Sequence, residues 1–273
     1  HRKEYRLRGN ASFQRGVISV TLRLIPRVKG ISELNLPEQL IHIARERQGF
    51  FLVVGPVGQG KSTTLAAMIS LINTESRKHI LTIEDPIEFH FDQDKSLIEQ
   101  REVGIDTADF NSALLHALRQ DVDVIMIGEM RGKETISTAV TAAETGHLVF
   151  STLHTNSAAQ TIDRIIDSFP GEQQNQIRLQ LSSSLIGVLS QRLVPAIAGG
   201  LVPAFELLLN TGAVANLIRE KRTHEIDVLI ETGSESGMID LDRYLAGMVR
   251  DGIIARDTAY SFVRRRGLFD RLI

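Results

Sequence analysis

FFLVVGPVGQGKSTTLAAMISLIN, residues 50 to 73, passes from an apolar run through a glycine-rich turn into a stretch of helix-forming residues. Within it, Gly55-Pro56-Val57-Gly58-Gln59-Gly60-Lys61-Ser62 fits the pattern GxxxxGK[ST] at every fixed position, and Thr63 continues it. Glycines let successive backbone N–H groups turn inward on a phosphate, and the following helix adds the positive end of its dipole. Lys61 is placed to neutralise β- and γ-phosphate oxygens, and the Ser62 hydroxyl to ligate Mg²⁺. A glycine-rich turn at a helix start is the plainer alternative, but the complete motif behind an apolar strand points to ATP with Mg²⁺.

Outward from this segment the pattern repeats. ILTI (80–83) is followed by a loop and an amphipathic stretch over 109–120, VIMI (124–127) by a helix over about 132–145, and LVFSTL (148–153) by a helix over about 157–168. Short, nearly all-apolar strands alternating with helices predict an α/β fold with a mainly parallel sheet covered on both faces. After Pro170 the residues read as mostly helical through 173–193, then a strand near 204–209, then helices to the C-terminus. Upstream, VISVTLRLI (17–25) alternates as a half-buried strand does. With the shorter run at 5–8 it reads as the last hairpin of an upstream β-containing domain. Residues 26–35 read as a polar linker, and Pro37 suits the first turn of a helix reaching about residue 48. The chain opens at His1-Arg2-Lys3, inside what reads as a strand-rich region, so a piece of a longer protein is expected.

In open parallel sheets ligands bind beyond the carboxyl ends of the strands. The other apolar runs end in Glu84-Asp85-Pro86 with Glu88 beyond, in Glu129, and in His154. Glu129 stands where an acid after a hydrophobic strand holds Mg²⁺ through water or orients the attacking water. Glu84 is a second candidate for the general base, and the residues leave the choice between the two open. His154 could bond the γ-phosphate and report its loss, while His147, at the start of the same run, has the stronger claim to a purely structural role. Each acid also has a structural alternative, as a helix cap or a solvated loop residue. Phosphoryl transfer in ring ATPases commonly uses an arginine worth about 10³–10⁵ in rate. Arg8, Arg15 and Arg23 on the N-terminal hairpin and Arg131 and Arg164 in the core are candidates, with Arg15 and Arg23 preferred as contributors to a neighbouring subunit's site. Arg264-Arg265-Arg266 reads as a solvated helix end.

Composition narrows the classes. At 273 residues, 42% hydrophobic and 23% charged, the chain suits one large α/β domain plus a fragment of a second. With no cysteine there is neither a disulfide framework nor a cysteine zinc site, which suits a reducing cytoplasm. A formal net charge of −2 and 5% aromatic residues argue against a strand-tracking nucleic-acid motor, which needs a basic groove and stacking rings. A small-molecule phosphotransferase built on the same loop is a further alternative. No apolar run approaches the roughly 18–20 residues that cross a bilayer.

The motifs GPVGQGKSTT (55–64), TIEDPIEF (82–89), IMIGEMR (125–131) and GHLVFSTLHTNSA (146–158) resemble those of the secretion and pilus-assembly ATPase superfamily. GAVANLIREKRTHEI (212–226), DRIIDSFPGEQQNQIR (163–178) and GMIDLDRYLAGMVRDGII (237–254) resemble the PilT family of type IV pilus retraction ATPases within it. The likeness covers essentially the whole chain. It departs at Val57 and Gln59, where Thr and Ser are common, and at Gly132, where Asp is usual. The resemblance implies a RecA-like P-loop core over 37–273 with a helical C-terminal part, a linker over 28–36, and the last strands of a PAS-like domain over 1–27. It implies a homohexameric ATPase with nucleotide at subunit interfaces, cytoplasmic at the inner face of the inner membrane, acting on a membrane platform protein to retract the pilus. Changes in the helix around Ala213 to Glu220 are expected to impair retraction while sparing the ATPase chemistry. Extension and type II secretion relatives typically carry a four-cysteine zinc insert, which a chain without cysteine cannot. A related assembly ATPase or an accessory retraction paralogue remains the alternative.

Overall fold

The structure, a computed structural model, describes residues 6–25 and 27–273. His1-Arg2-Lys3, the first residue of the expected run at 5–8, and Pro26 at the head of the expected linker lie outside the described residues. Two strands, β1 (Arg6–Gln14) and β2 (Val17–Ile25), form an antiparallel hairpin that is a sheet of its own. Then come α1 (Gln39–Ala44), β3 (Gly49–Val54), α2 (Lys61–Glu75), β4 (His79–Glu84), β5 (Leu97–Glu102), α3 (Phe110–Ala117), β6 (Val124–Ile127) and α4 (Lys133–Glu144). They are followed by β7 (Leu148–Leu153), α5 (Ala158–Asp167), α6 (Gly171–Ser184), β8 (Leu185–Pro195), β9 (Leu201–Leu209) and α7 (Gly212–Arg219). The C-terminal helices are α8 (Ile226–Thr232), α9 (Leu241–Arg250), α10 (Arg256–Tyr260) and α11 (Arg266–Leu272).

The main sheet has seven strands in the order β5-β4-β6-β7-β3-β8-β9, parallel throughout except for the antiparallel pair β8–β9. Its apolar strands send alternate residues to opposite faces, as the period of two requires. Phe50, Leu52 and Val54 enter one core layer with Ile83, Ile127, Ile162 and Ile218. Phe51 and Val53 enter the other with Leu65, Met68, Ile69 and Phe150. Both faces are therefore dry, and β3, β6 and β7 are apolar along nearly their whole length because neither face meets water. A third cluster, around Leu245, Ala246 and Phe269, packs the C-terminal helices onto Val194 and Ala204 near the free end of the β8–β9 pair.

The helix expected through 173–193 ends at Ser184, and residues 185–193 belong to β8. The Ser182, Ser183 and Ser184 hydroxyls all donate back to carbonyls of the preceding turn, a local bonding that loosens a helix end. Beyond it the chain is paired on both edges, Val188 standing between Leu52 and Leu208. A side chain at Gly187 would start 2.3 Å from the Leu208 carbonyl oxygen, so glycine is what lets β9 approach. The edge strand β5 was also unanticipated. Its sequence LIEQRE carries too few apolar residues to read as a buried strand. Helix α1 is shorter than the expected span to residue 48 and stops at Ala44. Of the arginine run, Arg266 is exposed at the start of α11, but Arg264 and Arg265 are not solvated helix-end charges. Arg264 pairs with Glu206, and Arg265 with Glu231, Asp240 and Asp242. Glu206 and Asp242 are buried, and a buried carboxylate draws in a counter-charge.

Helix α7 joins the first core layer through Val214, Leu217 and Ile218, with Ile218 fully buried. Replacing Ile218 by Ala is expected to cost about 2–5 kcal/mol, as a lower urea midpoint at unchanged slope. A loss below about 1 kcal/mol would show that α7 is not part of the ATPase core.

Candidate nucleotide site at the carboxyl edge of the sheet

The phosphate-binding motif turns out of β3 and into α2. Gly55, Gly58 and Gly60 have φ of 148°, 77° and 78°, a region side chains avoid. Space is limiting as well at two of them. A Cβ at Gly55 would lie 2.5 Å from the Gln191 carbonyl oxygen, and one at Gly60 would lie 2.9 Å from Gln191 Nε2. Gln191 is buried within β8 and braces the loop: its Nε2 donates to the Gln59 carbonyl at 2.7 Å and its Oε1 accepts from Thr64 Oγ1 at 2.7 Å. Gln59 Oε1 in turn accepts from the Leu193 N–H at 2.6 Å. Gln59 is thus directed at β8.

Lys61, the first residue of α2, is buried, and its Nζ donates to the Gly55 and Pro56 carbonyls at 2.8 and 2.9 Å. His154 Nδ1 lies 3.3 Å from the same nitrogen, and His154 Nε2 lies 3.4 Å from Glu129 Oε1. One imidazole therefore bridges the lysine and the strand-end acid. Burial lowers the Lys61 pKa, while the Glu129 and Glu88 carboxylates act against that shift and the Arg192 guanidinium adds to it. On its other side Glu129 accepts from Arg131 Nη2 at 2.9 Å, and the Arg131 side chain is 68% exposed. Thr152 Oγ1 donates to the Gly128 carbonyl at 2.6 Å, fixing the peptide that leads into Glu129.

Glu84 is buried and differently held. Its Oε1 accepts from Thr82 Oγ1 at 2.8 Å and Gln100 Nε2 at 3.2 Å, and its Oε2 from the Glu88 N–H at 3.2 Å. Burial raises its pKa and these three donors counteract the rise.

One cleft is lined by Val57, Gly58, Lys61, Ser62, Glu84, Glu129, Arg131 and His154, with Asp85, Glu88 and Thr152. Gly55, Pro56, Gln59 and Gly60 form the loop behind that lining. Thr63 faces a second, adjoining cavity with Arg8, Arg23 and Glu88. Arg8 and Arg23 stand directly opposite one another in the hairpin register. Arg15 is exposed at the hairpin turn with φ 49° and lines neither cavity. His147 Nδ1 meets the Ala142 carbonyl at 3.0 Å, a structural role at the head of β7. Arg164 is exposed on α5. Gln191 and Arg192 were missed because their strand reads as helix. Once β8 is recognised, the pairing of Ser190 with Val54, the last residue of β3, places both just beyond the edge where the phosphate loop begins.

Among the described residues no group of three or more His, Asp or Glu side chains is arranged to hold a metal ion alone. The donors in the cleft are one hydroxyl, Ser62, and carboxylates. That hard, sparse oxygen set fits Mg²⁺, which keeps water and substrate phosphates as its remaining ligands.

Residues 19–216 match the family described as type II/IV secretion system protein. The type IV pilus retraction ATPase PilT of Pseudomonas aeruginosa is 49% identical over 255 residues, covering 93% of this chain and 74% of the relative. The structure of a pilus retraction motor PilT with bound ADP superposes with a TM-score of 0.93 at 44% identity, over 99% of this chain and 78% of that one. The Legionella pneumophila ATPase DotB superposes with a TM-score of 0.84 at 29% identity, over 96% of this chain and 74% of that one.

Replacing Gln191 by Ala leaves the Thr64 hydroxyl and the Gln59 carbonyl short of partners. The expected result is a stability loss of about 1–3 kcal/mol together with weaker ADP binding. Thermal unfolding with and without ADP measures both. An unchanged ADP-induced shift would show that the brace does not shape the loop.

Proposed function

Because the chain belongs to the type II/IV secretion system protein family, we propose that it is an ATP-hydrolysing motor subunit that powers retraction of a type IV pilus. The chain is a P-loop ATPase of α/β fold, similar over nearly its whole length to a pilus retraction ATPase. The observation that carries the mechanistic reading is the His154 bridge between Lys61 and Glu129 in the cleft beside the phosphate loop. In this reading the loop N–H groups and Lys61 bind the β- and γ-phosphates, and Ser62, with Glu129 through water, would hold Mg²⁺. Such an ion neutralises charge developing on the phosphate oxygens.

Glu129 is the better general base of the two acids. Both Glu84 oxygens are engaged by inward donors, whereas Glu129 is 24% exposed and faces His154. Glu84 then acts as the buried anchor of the loop running to Glu88. Arg131 holds the far side of Glu129. His154 answers to the γ-phosphate and shifts contacts when that group leaves.

The same reading makes the molecule a homohexamer with ATP between subunits, Arg23 and Arg15 of the hairpin serving the neighbour's site. The hairpin is taken as the end of a PAS-like domain, residues 28–36 as the linker, and 37–273 as the RecA-like ATPase domain. The ring works in the cytoplasm against a platform protein of the inner membrane. Among the described residues no helix is long and apolar enough to cross a membrane. Asn216, Arg219 and Glu220 form the exposed stripe of α7 and its end, opposite the buried Val214, Leu217 and Ile218. That stripe is the surface a retraction partner would read.

Lys61→Ala is expected to abolish both nucleotide binding and turnover, whereas Glu129→Gln binds ATP and lowers kcat by about 10²-fold or more. Equal turnover in Glu129→Gln and the parent protein would remove its role as base, and survival of turnover in Lys61→Ala would remove the nucleotide assignment. The double change Asn216→Ala, Arg219→Ala should leave turnover within about twofold, since surface substitutions are mild. In cells it should abolish pilus retraction; retraction at the normal rate would show that the stripe is not read.

A further inference from the structure

The loop between β7 and α5 is held at the Asn156 peptide. The Asn156 carbonyl accepts from Ser190 Oγ at 3.1 Å, Arg192 Nη2 at 2.9 Å and Arg264 Nη2 at 2.5 Å. Three donors on an oxygen with two lone pairs is a concentrated hold on one peptide, two residues beyond His154. Arg192 Nη2 also reaches Asn156 Oδ1 at 3.1 Å. Two residues further on, the Ala158 N–H donates to Glu206 Oε1 at 2.9 Å, and Glu206 Oε2 is the partner of Arg264 Nη1. A single ion pair, Glu206 with Arg264, thus grips the loop at both 156 and 158.

That grip puts like charges together. Burial lowers the Arg192 pKa and the neighbouring Arg264 guanidinium lowers it further. The buried Glu206 carboxylate pairs with Arg264 and offsets the shift of Arg192, and burial raises its own pKa. The grip also joins different layers of the fold: Arg192 lies on β8 beside the phosphate loop, while Arg264 precedes α11. The Arg264 and Arg265 N–H groups are capped by Asp242 of α9 at 2.9 and 3.0 Å.

We propose that Arg264 is a positioning residue for hydrolysis, through which the C-terminal helical layer sets the His154 imidazole between Lys61 and the acid. The proposal rests on the role given to His154 above. Arg264 is not among the residues that line the cleft beside the phosphate loop. It fixes the Asn156 peptide, and the short span back to His154 carries the constraint to the site. In the other direction, a movement of His154 on loss of the γ-phosphate pulls on Arg264 and reaches α9 and α11.

The test is a double-mutant cycle for ATP turnover in the full-length protein. Lysine keeps the charge that Glu206 needs but replaces a fork serving two acceptors with one nitrogen. Arg264→Lys is expected to lower kcat about tenfold with KM for ATP nearly unchanged, and to lower it less than about twofold in a His154→Ala background. In case the lysine protein folds poorly, Glu206→Gln with Arg264→Met removes both members of the ion pair while Arg192 keeps its bonds to the Gln191 and Asn156 carbonyls, and it should show the same non-additivity. Equal losses in both backgrounds, or no loss in either, would falsify the positioning role. Because Lys61→Ala would still abolish turnover in that event, the ATPase reading would stand while this proposal fell.

Discussion

Parallel pairing is the constraint from which the site follows. Leu52, Ser151, Ile127 and Ile83 lie at one level across β3, β7, β6 and β4. Counting onward from that level, Glu84 is one residue beyond, Glu129 two, and His154 and Gly55 three. Four chain segments far apart in sequence are therefore delivered to one edge within a few ångströms of travel, because a strand advances about 3.3 Å per residue. Such register holds only while both faces of the sheet stay dry, and each strand here contributes to both core layers. A one-residue slip of β6 or β7 would turn its apolar set over and take Glu129 or His154 out of the cleft together with it. Packing and chemistry are one specification in this part of the fold.

The ends of the apolar strands were legible for the same reason. A strand buried on both faces has almost no freedom in its residue types, so VIMI or LVFSTL is visible against its flanks, and the polar residue that ends it is conspicuous. LIEQRE at the edge and LIGVLSQRLVP in the sheet lack that contrast. β8 carries Ser190, Gln191 and Arg192 because its far end serves the phosphate loop and Asn156, and those polar residues broke the pattern that would have marked it as a strand. Arg264 and Arg265 were misread in the opposite sense. Their partners Glu206, Asp240 and Asp242 come from β9 and from the start of α9, and nothing local in a run of arginines tells that buried acids await it.

Charge in the cleft is arranged as a chain rather than as isolated pairs. Arg131 meets Glu129, Glu129 meets His154, and His154 meets Lys61, whose ammonium also holds two carbonyls of its own loop. Arriving phosphates compete for the lysine and for the imidazole at once, so binding at one end of the chain changes what surrounds the carboxylate at the other. Glu84 stands outside this chain. Its three donors all come from β4, β5 and the loop to Glu88, and its burial raises its pKa. An acid so enclosed is suited to hold a loop. An acid at the open side, bonded to the exposed Arg131 and to the His154 imidazole, is suited to exchange a proton with water.

The C-terminal third reaches the sheet by two separate routes. Helix α7 buries Val214, Leu217 and Ile218 in the first core layer, and the Arg178 guanidinium of α6 donates to the Ile218 carbonyl at 3.3 Å. Helices α9 to α11 form their own cluster near the free end of the β8–β9 pair and are tied to the β7–α5 loop through Arg264. The first route is mainly apolar. The second runs through the Arg264–Glu206 ion pair, and Arg264 also donates to a loop carbonyl two residues from His154. If nucleotide state is to move one part of the C-terminal region against another, the helices on the ionic route are the ones that can respond, and α7 is the fixed surface against which they do so.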